Sequence, residues 1–436
     1  MSVVEQSISS EALEGTRLDR VGPRAFALSL GTAIIAFALA LLLGWRQNDG
    51  MQQFMFGYYM AWIFFFCIAA GSLYFLLLHH AFRAMWSVVV RRLAEAMAAN
   101  LVLMAVLLIP ILGGMHLLFS WTSASFMHTD KLLVRKLSFL NADFFTIRCI
   151  IYFVVLGGMA VFLRKRSNAQ DETGSLRPLQ AMHRMSRWSL IVAFWVINFV
   201  GVDFIMAIDP KWFSYVAPIY FFTMVMVSVY AALPLFASWL QTNGILQKQI
   251  TKEHYHDLGK WLLAWTLFWG YIAFCQYVLI WYANMPEETG FYQRRIMGPW
   301  GVLAAVLLAV HLIIPGFGLM SRHAKRHRGV LTFWCGWILM ACYLDVFWLI
   351  APQQYINTPL GRTAGVMPTD PYHFISAAAN KLLWLPLRPV AIEIDLLCLL
   401  GMGGLFLASA LFMLRGRALL PVKDPRLAES LAFENY

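Results

Sequence analysis

Ten apolar stretches, each long enough to cross a bilayer as a helix, occupy most of this 436-residue chain. They lie at about residues 25–43, 56–78, 96–118, 144–163, 188–208, 216–240, 261–282, 300–320, 330–350 and 390–414. A helix needs about 20 apolar residues to span about 30 Å of hydrocarbon. With 60% hydrophobic and only 13% charged residues, and a mean hydropathy of +0.64, a water-soluble domain is excluded. The expected fold is all-α and polytopic, with about ten transmembrane helices. The first span is too long and too late to read as a cleaved signal peptide, so it is expected to stay as a helix.

Basic residues set the expected orientation. About 23 of the 34 Lys and Arg fall on the amino-terminal side and in every second connection, about 10 fall in the others, and Arg148 lies inside a span. Both termini are therefore expected to face the cytoplasm, in a bacterial inner membrane. The net charge of +11 reads as this bias plus contact with anionic lipid, and no basic domain is large enough to hold nucleic acid.

The six cysteines, Cys67, Cys149, Cys275, Cys335, Cys342 and Cys398, are scattered inside spans without a C-x-x-C pair. That spacing argues against an iron–sulfur cluster, covalent haem or structural zinc held by this chain. No soluble domain can be cut out. Residues 1–23 and 415–436 read as cytoplasmic tails around a membrane domain at 24–414. The long connections at 351–389 and 164–187 read as docking surfaces or lids. No short repeat is visible, and the pairs Gly113-Gly114 and Gly157-Gly158 are expected to let helices approach closely. Asp209-Pro210 and Pro286-Glu287-Glu288 are expected to begin short surface helices.

Function must lie with the polar residues inside the spans, because a charge near the bilayer centre costs roughly 2.5–3.5 kcal/mol. At about 1.5 Å per residue, Glu95 and Asn100 fall near the cytoplasmic start of the third span and His79-His80 near that end of the second. Asn198 and Asp203 occupy the middle and outer half of the fifth span. Gln276, His311 and Asp345 lie on the seventh, eighth and ninth, and Glu393 and Asp395 open the tenth. An inner and an outer set of protonatable groups around a polar middle is what a proton relay requires. Desolvated carboxyls titrate near neutral pH, and amides hold bridging water. The alternatives are that Glu95 pairs with Arg91 or Arg92, and that Glu393 and Asp395 sit among headgroups. Asp203 and Asp345, which interrupt apolar runs, favour the relay.

A second constellation, His116, Asp143 and Arg148, falls at the outer ends of the third and fourth spans. A histidine and a carboxylate facing an apolar cavity could hydrogen-bond a quinone and take its protons. Alternatively Asp143 pairs with Arg148, at an i, i+5 spacing that does not stack well on a helix. No two histidines share a depth that suits a membrane haem.

Several strings taken in order resemble a known family: LLLHH at 76–80, the run from Arg91 to Glu95, DFIM at 203–206 with DPKW at 209–212, DLGK at 257–260, GYIAFCQY at 270–277, WYANMPEE at 281–288 and LDVFWLIAP at 344–352. Together, across about residues 56–352, they resemble the NrfD-like membrane subunit ActF of bacterial alternative complex III. The resemblance implies two four-helix bundles, spans two to five and six to nine, plus flanking helices. It implies partners: a second NrfD-like subunit (ActC-like), an iron–sulfur subunit, multihaem and monohaem cytochrome c subunits, and a terminal oxidase as one electron acceptor. Such a complex oxidises quinol, usually menaquinol. Clusters and haem c belong to the partners, and the ActF-type subunit offers proton half-channels. His116 and Asp143 fall where the related quinol-binding subunit uses a histidine and an aspartate, but Arg148 departs from that pattern and would neutralise Asp143. The competing readings are a proton-coupled secondary transporter and a structural scaffold. Pro110, Pro234 and Pro315 break spans without the paired arrangement of transporters.

Overall fold

The computed structural model describes residues 15–18, 21–47, 49–296, 299–357 and 389–434. The described residues form helices and turns with no strand, and the chain is an all-α, multi-pass membrane protein. Among the described residues, ten helices are long and apolar enough to cross a membrane: α1 (Gly22–Arg46), α2 (Gln52–Ala81), α3 (Trp86–Gly113), α4 (Ala142–Thr173), α5 (Leu176–Ile208), α6 (Ala217–Thr242), α7 (Lys252–Ala283), α8 (Trp300–Gly318), α9 (Arg328–Gln354) and α10 (Ile392–Leu414). The expected spans all fall on them. Most of the connection at 351–389, with its Pro368-Thr369-Asp370-Pro371 turn, lies outside the described residues, as does most of the tail at 1–23.

Composition sorts the helices into centre and rim. Helices α2 and α6 are 89% buried over their most apolar windows, whereas α1 and α8 are 17% buried. A helix apolar all round belongs inside a bundle or against lipid. The central pair carries aromatic and small residues that pack. Trp62 of α2 stacks on Phe66 and Phe204, and Tyr230 of α6 stacks on Trp261. Gly71 is where α2 crosses α6, since a Cβ there would strike the Val225 carbonyl, and Gly404 lets α10 lie against Ser29 and Ala33 of α1. The glycine pairs expected to do this do not: a Cβ at Gly113, Gly157 or Gly158 would meet open space, and one at Gly114 only the tip of Met55 and its own helix.

Packing order repeats across the molecule. Helix α2 packs on α3 and α5, with α4 closing the first bundle. Helix α6 packs on α7 and α9, with α8 closing the second. The two bundles meet through α2 with α6, α5 with α6, and α2 with α9, while α1 and α10 pair outside against α2 and α3. The match extends to sequence. VDFIMAIDP at 202–210 on α5 and LDVFWLIAP at 344–352 on α9 share Asp, Ile and Pro at the same three positions. This repeat is too divergent to stand out until the packing aligns it.

At the end away from the basic residues, the short helix Pro286–Ile296 ties the bundles together. Phe291 stacks on Trp212 at 3.6 Å, and Arg294 pairs with Asp209. Burial pushes the Arg294 guanidinium down to about 10, so it stays charged at neutral pH. Pro286 does open a helix, but Asp209 is spent on Arg294 and is followed by a turn. At the basic end, residues 415–434 are not a free tail. Leu419, Leu420 and Leu427 are fully buried, Asp424 pairs with Arg91 of α3, and the Ser430 carbonyl accepts from His254 of α7 at 3.0 Å. Both bundles are thus strapped together at each end.

Candidate functional site: two buried carboxylates in matched bundles

Asp203 and Asp345 occupy the same position of the repeat, and neither carboxylate touches solvent or lipid. Their surroundings differ.

In the first bundle, Arg148 and Tyr152 stand one turn apart on α4 and face α5. Arg148 donates from Nε and Nη2 to the two Asp203 oxygens, both at 2.8 Å, and the Tyr152 hydroxyl donates at 2.6 Å. The guanidinium also donates to the Phe139 carbonyl at 3.0 Å and lies 3.9 Å from the Phe139 ring centre. Asn141 accepts from the Phe144 amide and so sets where α4 begins, which fixes the register of this fork. Bidentate guanidinium–carboxylate pairs are among the strongest polar contacts available to a buried charge. The first site is electrically balanced and held on three sides.

In the second bundle, Asp345 of α9 accepts from the Tyr220 hydroxyl at 2.6 Å and from Trp269 Nε1 at 2.9 Å. Its third neighbour is His311 of α8, whose Nδ1 lies 3.9 Å away, beyond hydrogen-bond length. That ring stacks on Trp269 at 3.8 Å, its Nδ1 has no hydrogen-bond partner, and Cys342 Sγ is 3.7 Å from its Nε2. No Lys or Arg among the described residues pairs with Asp345. His311 sits in a π-helical turn, Ala309–Ile313. The cause is two residues past that turn, because Pro315 has no N–H to give to the carbonyl four residues back, His311 itself. Single π turns of this kind recur at functional positions.

A third carboxylate cluster lies toward the basic end. Glu95 of α3 is buried, and accepts from Arg92 at 2.8 Å and from the Ser167 hydroxyl at 2.6 Å. Arg92 is shared with Asp171 of α4. Glu95 therefore has the Arg92 partner anticipated for it, and Arg91 goes to Asp424 instead. Asn100 donates to the Phe406 carbonyl at 3.1 Å, while its Oδ1 is buried without a partner. Gln276 is buried on α7. Of the two acids at the start of α10, Glu393 is exposed, but Asp395 is buried and accepts from Gln53 at 3.0 Å. The close packing of α10 on Gly57 of α2 encloses it.

Of the three residues considered for a quinone, Arg148 goes to Asp203 on the next helix instead of Asp143. His116 and Asp143 are both exposed. No hydrogen bond or ion pair among the described residues joins any two of the three. An open groove of about 520 Å³ lies between α5 and α6, walled by Phe194, Trp195, Phe199 and Met206 with Asn198 in its lining. The sequence reading also missed His183, whose ring lies 5.6 Å from that of His80. Its position seven residues into α5 was the available signal.

No family model matches the chain, and no curated protein matches it.

Proposed function

We propose that this chain is a proton-conducting membrane subunit of a respiratory quinol:acceptor oxidoreductase of the alternative complex III kind, and that the second bundle carries the proton. The observation behind the reading is Asp345. A carboxylate in this interior needs a compensating positive charge, since an isolated buried charge costs far more than a fold can supply. Asp203 has Arg148. Asp345 has only neutral donors and, 3.9 Å away, the imidazole of His311, so the cation that balances it is a proton, held by the carboxyl or by His311. A group that must take up a proton to be tolerated, next to an imidazole with a free nitrogen, is suited to relay one.

Supporting the wider assignment are the ten-helix, two-bundle arrangement and the ordered strings between residues 56 and 352 that resemble ActF-type subunits. On this reading the basic end faces the bacterial cytoplasm, with Glu95, Asp171 and Asn100 as the inner set, and Gln276, His311 and Asp345 as the path toward the outside. Quinol chemistry, clusters and haem c belong to the partners: an ActC-like subunit, an iron–sulfur subunit and cytochrome c subunits, passing electrons to a soluble cytochrome or a terminal oxidase. For Asp203 the bidentate pair favours a structural role.

The test is the assembled complex in vesicles. Asp345→Asn is expected to leave assembly intact and to lower the protons released per quinol oxidised. Unchanged proton yield and turnover would remove the relay and leave a scaffold subunit.

A further inference from the structure

The unexplained charge in this molecule lies at the basic end, where α2, α3 and α5 meet the C-terminal segment. His80, on the last turn of α2, is 2% exposed, and its Nδ1 has no hydrogen-bond partner. The His183 ring on α5 faces it at 5.6 Å, and Arg91, Arg426 and His79 all lie within electrostatic reach of it. His183 is reached in turn by Arg426, Arg91 and Arg83, with Asp424 as the single acid. Asp424 is taken by Arg91. Three guanidiniums are thus gathered around two imidazoles against one carboxylate, with a net charge of +2 before either imidazole is protonated.

The backbone holds the cluster in place. Arg83 sits in the left-handed region at φ 53°, a conformation that L side chains with a Cβ rarely adopt. Its carbonyl accepts from Arg426, which brings the C-terminal segment onto the turn between α2 and α3. Phe82 is 73% exposed and Trp188 of α5 is 75% exposed. Aromatic side chains exposed beside arginines mark headgroup depth.

We propose that this cluster is a binding site for a phosphate-type anion, the headgroup of an acidic phospholipid, held by Arg83, Arg426 and His183 with His80 at its floor. The charge fits: a phosphodiester or phosphomonoester supplies one to two negative charges and several acceptor oxygens, where guanidiniums and imidazoles supply donors. The exposed Phe82 and Trp188 would lie against acyl chains.

The experiment uses the purified full chain in neutral detergent, with phosphatidylglycerol, phosphatidylcholine and inorganic phosphate as separate probes, read by native mass spectrometry and thermal shift. Phosphatidylglycerol should bind at about a tenfold lower concentration than phosphatidylcholine. The Arg83→Gln, Arg426→Gln double variant should lose that preference, as expected when charge-assisted hydrogen bonds are removed. Arg135→Gln, an exposed arginine at the opposite end, should keep it. Inorganic phosphate should displace the lipid. If phosphate binds and the lipid does not, the anion site stands and its ligand comes from the aqueous phase. Equal binding of both lipids with no phosphate binding would overturn the proposal. So would a folded double variant that retains the lipid, or an equal loss in Arg135→Gln.

Discussion

At the residue scale the two repeat carboxylates should respond to the same substitution in opposite ways. Replacing Asp203 by Asn leaves Arg148 buried without a counter-charge, which typically costs 3–5 kcal/mol. The apparent melting temperature of Asp203→Asn should therefore fall sharply. Adding Arg148→Met to it should restore much of the loss, because the orphaned charge is gone. A double variant no more stable than the single would mean the pair is not what holds α4 to α5. Asp345→Asn should do the reverse. Its hydrogen-bond partners are a hydroxyl and an indole, and a carboxamide can serve both, its oxygen accepting from Trp269 and its amino group donating to the Tyr220 oxygen, so the fold should survive while proton release slows. The presence of both acids was legible in the sequence, because each interrupts an apolar run. Their difference was not. Arg148 finds its partner 55 residues away on the neighbouring helix, and spacing along one helix says nothing about a contact between two.

At the element scale, local chemistry shapes what hydropathy cannot see. Hydropathy located α8 but not its π turn, which follows from one missing N–H at Pro315. Pro315→Ala should return that N–H to the His311 carbonyl and let the helix tighten, moving the imidazole away from Asp345. The expected result is a folded subunit with slowed proton release, and a crystallographic or cryo-EM map of the variant should show a regular helix over Ala309–Ile313. A retained π turn would mean that packing against Trp269, not the proline, sets it. The C-terminal segment is the second case. In the sequence it reads as a cytoplasmic tail, yet three of its leucines are buried, and burying each is worth roughly 1.5–3 kcal/mol. Deleting residues 417–436 should lower thermal stability by more than any single substitution at its surface. Unchanged stability would show the strap to be dispensable. The sequence signal was present in Leu419-Leu420 and Leu427, but short apolar pairs become legible only when something lies beneath them.

For the whole molecule, two four-helix bundles with matched carboxylates account for why ten spans are arranged around α2 and α6. Broken helices do not follow the repeat. Pro110 bends α3, Pro315 bends α8, and their counterparts in packing order are α7 and α4, which are continuous. Transporters that alternate access tend to place such breaks in corresponding helices of the two halves, so this arrangement favours a fixed conduit. Direction of travel depends on orientation, which rests on the distribution of charge. The α2–α3, α4–α5, α6–α7 and α8–α9 connections and the C-terminal strap all emerge at one end of the bundle, and that end holds about 22 of the 30 Lys and Arg among the described residues. Positive residues are retained on the cytoplasmic side during insertion. Reporter fusions made after Arg166 or Arg328 should therefore behave as cytoplasmic, and a fusion after Lys131 as periplasmic. All three fusion sites lie in or beside described elements, so each reading maps directly onto one end of the bundle. The reverse pattern would turn the molecule over, placing Glu95 and Asp171 at the outer face and making the Asp345–His311 pair a point of proton entry from the cytoplasm.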